Sequence, residues 1–380
     1  EKSQVSEGQD EAGEEFLDNE WTNKAKEKIR LIEIGDKEAH RIWKEIRDAS
    51  GKGFDKVYKI LNVNFSETTG QSFFSDKGKS IITEALKKGL AKPESDGAVY
   101  VEFKDKKGEE TLPKRYVLRS NGTASYITQD IGALVERNKK YQFDKIIYIT
   151  DYRQRLHFQQ LFEILKRFGN NFTDKCEHLG FGTVNFGKEI LASRTGKIVL
   201  LEDVLKKTIE KAQAEIKKRK TKGDAEKIGV GAIKYIILRN EPIKDVEFSW
   251  DAALNFEGDS GPYIQYSYAR ASSIIKKAKS SKNKSNSKIS IPNKLEQKEI
   301  ELAKKIEDFP AIVKKASEQL NPAIIANYSF TLAQIFNEFY HETKVIGSKE
   351  EAFRLALVNA FRTTIKNSLY LLGIEVMEEM

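Results

Sequence analysis

The 380 residues contain a single cysteine, Cys176, which excludes an internal disulfide. Histidine is also scarce: His40, His157, His178 and His341 are scattered, and no thiolate or imidazole cluster has the spacing of a zinc site. A tightly bound, protein-ligated metal is therefore not expected. No apolar run approaches the roughly 18 residues that a membrane span requires. The opening residues, EKSQVSEGQDEAGEE, are acidic rather than signal-like. These absences lead to the expectation of a cytoplasmic protein with no membrane partner. The chain starts without methionine and stays poor in large apolar residues until Phe16 and Trp21. Either residues have been removed, or this is part of something longer.

Hydrophobic residues make up 39% and charged residues 32%, as in a globular protein with a heavily charged surface. The length allows two or three domains. A net charge of +8 and a pI near 9.1 are compatible with phosphate-bearing partners, and are equally common on proteins that bind no polynucleotide. Seven lysines fall between Lys276 and Lys294 without an acidic residue among them. That Lys/Ser/Asn composition also suits a plain solvated loop.

Along the chain, residues 1–20 read as a disordered acidic tail. Ala25, Ile29, Ile32, Ile42, Trp43 and Ile46 recur at helical spacing with a break at Gly35-Asp36, which predicts two helices. Further helices are expected over 54–61 and 76–90. AVYVEFK and KRYVL flank a charged turn at Lys107-Gly108, a hairpin signature. A helix over 129–141, the apolar run IIYIT and a helix over 156–168 then read as α/β organisation around a buried strand. KIVLLEDVL reads as a strand entering a helix; a basic helix runs on to Lys220, Gly223-Asp224 breaks it, and AEKIGVGAIKYIILR resumes as a buried helix. From Tyr263 to the end nearly every segment has helical period, which predicts a bundle of roughly four to six helices. The boundary falls where Gly258, Gly261 and Pro262 cluster. The division is thus a tail over 1–22, an α/β part over 23–257 and a helical part over 258–380.

Residues 120–169 carry the chemistry most clearly. Tyr126, Asp130 and Gln154 lie around two strand-to-helix junctions, where ligands of open α/β sheets bind. A carboxylate, a phenol and an amide suit a cationic, hydrogen-bond-rich guest such as a guanidinium. Each also has a plain structural reading. Asp130 could be a helix-N-terminal carboxylate with Thr128 as N-cap, Tyr126 a core residue and Gln154 a surface residue.

These stretches, together with HLGFGTV, LASRTGKIVLLEDVL, FSWDAALNFEGDSGPYIQYSYAR, FNEFYHETKVIG and EEAFRLALVNAFR, resemble class I arginyl-tRNA synthetases, in the family's order and from about residue 25 to the end. The resemblance implies a Rossmann-like catalytic domain followed by an all-helical anticodon-binding domain. It implies ATP-dependent activation of L-arginine to arginyl-adenylate and transfer to tRNA(Arg), with ATP, accompanied by Mg2+, as substrate.

By the same resemblance Tyr126, Asp130 and Gln154 hold arginine. His178, Phe181, Gly182 and Val184 lie beneath the adenine, although a bare Gly-x-Gly is a weak signal and a lone histidine is commonly structural. LASRTGK stands in place of the mobile loop that closes over the ATP phosphates. In it Ser193, Arg194 and Gly196 are assigned to catalysis and Lys197 to ATP, although Thr195 stands where many relatives have lysine. Tyr263, Gln265, Tyr266, Arg270, Asn337, Tyr340 and the last residue, Met380, are assigned to tRNA, where aromatic faces stack on unpaired bases and arginine meets phosphate. Glu351-Ala352-Phe353-Arg354 replaces the family's Asp-Ala-Leu-Arg and keeps only its Ala and Arg.

The family's tRNA-elbow domain and the first half of its nucleotide fold, with its His-x-Gly-His, have no counterpart here. The expectation is a C-terminal portion of a longer synthetase that needs its N-terminal half. One alternative is a non-catalytic tRNA-binding protein with a vestigial half fold. Another is an α/β ligand binder that binds no RNA.

Overall fold

The computed structural model describes residues 7–9, 15–17, 20–186, 200–280 and 290–380. The chain divides into two compact units, one of Glu1–Lys56 with Asn64–Gly180, the other of Val57–Val63 with Phe181–Met380.

In the first unit, β1 (Glu7–Gln9) and β2 (Glu15–Leu17) pair antiparallel within the stretch expected to be a disordered tail. Helix α1 (Glu20–Glu33) and helix α2 (Lys37–Ile60) flank the predicted break at Gly35, whose φ of 79° suits only glycine well. The separate helix expected over 54–61 is absent. α2 runs through Gly51 and Gly53 without interruption, because a glycine in a helix weakens it without blocking its hydrogen bonds.

Helix α3 (Ser75–Lys87) leads to strands β3 (Lys92–Pro93), β4 (Val99–Lys104) and β5 (Glu110–Leu118), an antiparallel sheet in the order β3-β4-β5. Val99, Val101 and Phe103 are buried while the residues between them are not, the period-two pattern of a one-sided sheet. Helix α4 (Tyr126–Tyr141), strand β6 (Ile146–Asp151), helix α5 (Arg155–Arg167) and strand β7 (Cys176–Phe181), up to Gly180, complete this unit, β6 pairing with β7.

α4 starts three residues earlier than the pattern suggested. Thr128 is not its N-cap but lies inside the helix, its hydroxyl donating to the Val117 carbonyl. α3 presses on α4 at Gly78, where a methyl group would collide with the Thr128 carbonyl. Ile127, Ile131 and Leu134 of α4 are fully buried with Leu161, Ile164 and Leu165 of α5 in one core. Each such aliphatic side chain contributes roughly 1.5–3 kcal/mol by leaving water. This core holds the N-terminal ends of α4 and α5 in place.

The second unit contains β8 (Val184–Asn185), α6 (Leu201–Arg219), α7 (Ala225–Leu238), β9 (Val246–Glu247) and α8 (Trp250–Ala253), with β8 parallel to β9. Of KIVLLEDVL, read as a strand entering a helix, residues 201–205 are helical and 197–199 lie outside the described residues. Asp224 caps α7, accepting from the amides of Glu226 and Lys227. Five further helices follow: α9 (Gly261–Ser280), α10 (Gln297–Glu307), α11 (Phe309–Glu318), α12 (Ala323–Glu342) and α13 (Glu351–Leu371). Their core contains Phe336 and Phe361, stacked with centroids 3.8 Å apart.

One buried ion cluster ties the bundle together. Arg354 donates to Glu299 (2.7 Å), to Glu296 (2.8 Å) and to the Lys344 carbonyl (2.8 Å). Glu299 also accepts from the backbone N–H of Glu296, closing the capping box of α10. Arg354→Met strands the 1%-exposed Glu299 carboxylate and is expected to cost about 3–5 kcal/mol in urea unfolding. R354M/E299M is expected to recover most of that loss. Equal stability of R354M and the unsubstituted protein would contradict this role.

Candidate active site and nucleic-acid interface

Tyr126 and Asp130 lie one helical turn apart at the start of α4 and so share a face. Asp130, 6% exposed, accepts from two side chains: Oδ2 from His157 Nε2 at 2.8 Å, and Oδ1 from Gln71 Nε2 at 3.4 Å. The Tyr126 ring lies 4.7 Å from the His157 ring, centroid to centroid, at 42°. Burial first, and the Asp130 carboxylate second, hold the Tyr126 phenol above its ordinary pKa, against a hydrogen bond with Gln71. The phenol therefore serves as a neutral hydrogen-bonding group.

Gln154 ends the short 3-10 turn Tyr152–Gln154 that leads into α5. Its side-chain Oε1 is buried and has no hydrogen-bond partner among the described residues. A buried acceptor left unpaired is unfavourable unless a guest satisfies it. Beside it, Asp151 accepts a two-toothed bond from Arg153 at 2.9 and 2.7 Å, which lowers its carboxyl to about 2.

Sequence reasoning named Tyr126, Asp130 and Gln154 and missed Gln71 and His157. The signal for His157 was its position three residues after Gln154, in the first turn of α5. Gln71 lies 59 residues from Asp130 in sequence, beyond the reach of any local pattern.

His178 lies on β7, its Nε2 2.9 Å from the Thr150 hydroxyl and its ring stacked on Phe158 at 4.5 Å and 16°. Phe181, Gly182 and Val184 belong to the second unit. The Gly-x-Gly serves close packing within the protein. A side chain at Gly180 would meet Tyr152 Cα at 2.8 Å, and one at Gly182 would run into the Lys244 carbonyl. Ser193, Arg194, Gly196 and Lys197 lie outside the described residues, as do Lys282, Lys284 and Lys288 of the lysine-rich segment.

In the helical bundle, five of the residues assigned to tRNA form one connected group on α9 and α12. Asn337 donates to the Tyr263 hydroxyl and to Ser267 Oγ, each at 2.9 Å, and accepts from Arg270 at 2.5 Å. The Arg270 guanidinium lies over the rings of Tyr266 (4.8 Å) and Tyr340 (5.0 Å). Tyr340 is exposed, so the group offers an aromatic face and a cation at the surface.

Two assigned residues fall elsewhere. Gln265 is fully buried and donates to the carbonyls of Lys227 and Glu375, tying α9 to α7 and to the C-terminal residues. It therefore offers no side-chain atom to a polynucleotide. Met380 packs with Met377, Ile216, Ile228 and Phe256. Glu351, in place of the family's aspartate, accepts from the Gly347 amide at 2.6 Å.

Residues 8–250 match the family described as tRNA synthetases class I (R), catalytic domain, and residues 264–380 match the DALR anticodon binding domain. Over 360 residues the chain is 39% identical to the arginine–tRNA ligase of Clostridium botulinum (strain Alaska E43 / Type E3), covering 93% of this chain and 62% of that protein. Over 367 residues it is 38% identical to that of Clostridium beijerinckii, covering 94% and 63%. The chain thus spans less than two thirds of the length of these relatives. Among solved structures, it is similar to arginyl-tRNA synthetase from Plasmodium falciparum, with a TM-score of 0.76 and 27% identity over 94% of this chain and 62% of that one. The Thermus thermophilus arginyl-tRNA synthetase, at 23% identity and a TM-score of 0.73 over 92% of this chain and 69% of that one, shares the fold. The architecture agrees with the expectation from sequence: a Rossmann-like class I catalytic domain followed by an all-helical anticodon-binding domain.

Burial excludes charge from the His178 ring, and the positive neighbours His157 and Arg155 oppose it further, so its pKa lies below the ordinary 6.5. The folded value is the lower one. The native state therefore keeps this contribution above about pH 6.5 and loses it as pH falls from there through the folded pKa. An NMR titration of the His178 ring is expected to give a midpoint below 6.5; a midpoint at or above 6.5 would contradict this.

Proposed function

We propose, since the chain belongs to the class I arginyl-tRNA synthetase family, that it is the larger part of an arginine–tRNA ligase. In this reading it binds L-arginine at Asp130, Tyr126 and Gln154, and takes ATP, with Mg2+ entering as part of that substrate, over His178, Phe181, Gly182 and Val184. Ser193, Arg194, Gly196 and Lys197 act on the phosphates. The catalytic part is residues 23–257 and the anticodon-binding part 258–380, where Tyr263, Tyr266, Arg270, Asn337 and Tyr340 contact tRNA(Arg).

The observation that carries the reading is a buried carboxylate, held through one oxygen by His157 and through the other by Gln71, beside a Gln154 acceptor that has no partner among the described residues. A guanidinium or ammonium guest supplies the N–H groups that both lack. A simple RNA-binding module needs neither.

The chain contains no His-x-Gly-His, and we infer that a segment of the relatives that it does not span supplies the remaining half of the nucleotide site. Ile147 and Ile149, alternate residues of β6, are 37% and 64% exposed, an apolar strip suited to that segment. A second reading, a tRNA-binding protein without catalysis, draws support from the Arg270–Asn337–tyrosine group, which is complete within this chain.

The test is arginine-dependent ATP–pyrophosphate exchange and tRNA arginylation. The 380 residues alone are expected to be inactive, and addition of the missing segment to restore both reactions. Asp130→Asn in the completed protein is expected to raise the KM for arginine by about 100-fold, as loss of a charged partner to a guanidinium does. Salt-sensitive tRNA binding by a completed protein that activates no arginine would favour the second reading. Full arginylation by the 380 residues alone would overturn the proposed division of the site.

A further inference from the structure

Asp130 is oriented by its neighbours. His157 holds one of its oxygens at 2.8 Å and Gln71 the other at 3.4 Å, and both Asp130 and His157 are more than nine-tenths buried. The same imidazole lies against the Tyr126 ring at 4.7 Å and meets Phe158 edge-on at 5.1 Å. Phe158 in turn stacks on His178. His157 follows Gln154, the residue that caps the start of α5, by three positions and lies in the first turn of that helix. His157 thus touches two of the three residues assigned to arginine and lies one turn beyond the third.

We propose that His157 is a positioning residue for the substrate-binding carboxylate, an inference that rests on the arginine reading of Asp130. Its Nε2–H fixes the plane of the carboxylate through Oδ2, with Gln71 on Oδ1. Each oxygen keeps a lone-pair direction for a planar, two-toothed guest. A bidentate guanidinium–carboxylate pair depends on coplanarity, whereas a single ammonium contact does not. His157 therefore favours guanidinium over ammonium guests. Its ring also supports Tyr126, so one side chain sets the geometry of two contacts. A histidine serving only to fill the core requires neither the hydrogen bond to Asp130 nor any effect on guest choice.

Steady-state exchange kinetics in the completed protein test the assignment, with arginine and ATP varied separately. His157→Leu is expected to raise the KM for arginine about tenfold, the effect of losing one hydrogen bond to a charged group, and to leave the KM for ATP unchanged. His157→Gln, which keeps an N–H in reach, is expected to restore most of the arginine KM. Inhibition by lysine is expected to strengthen relative to arginine binding in H157L. An unaltered arginine KM in H157L, or arginine and ATP KM values rising together, would overturn the proposal. So would an H157Q variant that folds and is no better than H157L.

A second readout is independent of catalysis and of the folding of any variant. Long-range 1H–15N correlations on the unsubstituted 380-residue chain are expected to show a protonated Nε2 on His157. A lone pair on Nε2 would refute the hydrogen bond itself. Failure of the unsubstituted completed protein to show any arginine-dependent exchange would instead overturn the arginine reading beneath the proposal, and the two failures are therefore distinguishable.

Discussion

A carboxylate withdrawn from water must be surrounded by donors, and this requirement organises the candidate arginine site. Asp130 meets it with one N–H per oxygen from side chains on two other elements, Gln71 before α3 and His157 on α5. The packing of α3 on α4 at Gly78 and the shared core of α4 and α5 bring those donors within reach. The aliphatic core sets the positions of the helix starts, and the helix starts set the polar geometry. Tyr126 and Asp130 share a face because α4 begins at Tyr126; a start at Thr128 would have left Tyr126 outside the helix.

The helical bundle solves a similar problem in two ways. Arg354 is enclosed by carboxylates and a carbonyl and serves the fold. Arg270 is held on one side by Asn337 and lies over Tyr266 and Tyr340, with Tyr340 exposed. One arginine is fully used inside the protein, and the other is oriented at its surface. This contrast separates a structural cation from a candidate RNA contact more clearly than the residue types do. Gln265 makes the same point from the other side. It sits in the same helix as Tyr263 and Tyr266, yet its amide is spent on two carbonyls in the interior.

Much of this organisation was legible in the sequence where period and punctuation agree. The break at Gly35, the hairpin around Lys107-Gly108 and the helical C-terminal part follow from local patterns, as does the strand IIYIT. The burial expected of that strand does not hold, since Ile147 and Ile149 are exposed. Local patterns failed where tertiary contacts decide. The apolar spacing over 54–61 suggested a separate helix, whereas α2 runs through that stretch to Ile60 without a break. Thr128 had the composition of a cap, but its hydroxyl is taken by the Val117 carbonyl. The candidate site was legible on α4 and at the start of α5, and the resemblance supplied its guest. Gln71 was beyond reach because its contact with Asp130 joins distant segments, and His157 was passed over because an isolated histidine carries little signal by itself.

In the proposed site the Asp130 carboxylate, held by His157 and Gln71, receives the guanidinium of arginine. A crystal structure of the completed protein with arginine tests it most directly. Guanidinium nitrogens are expected within about 3 Å of the Asp130 oxygens, with His157 Nε2 still bonded to Oδ2 and the Gln154 oxygen paired. A guanidinium bound elsewhere, with Asp130 contacted only by His157 and Gln71, would contradict it.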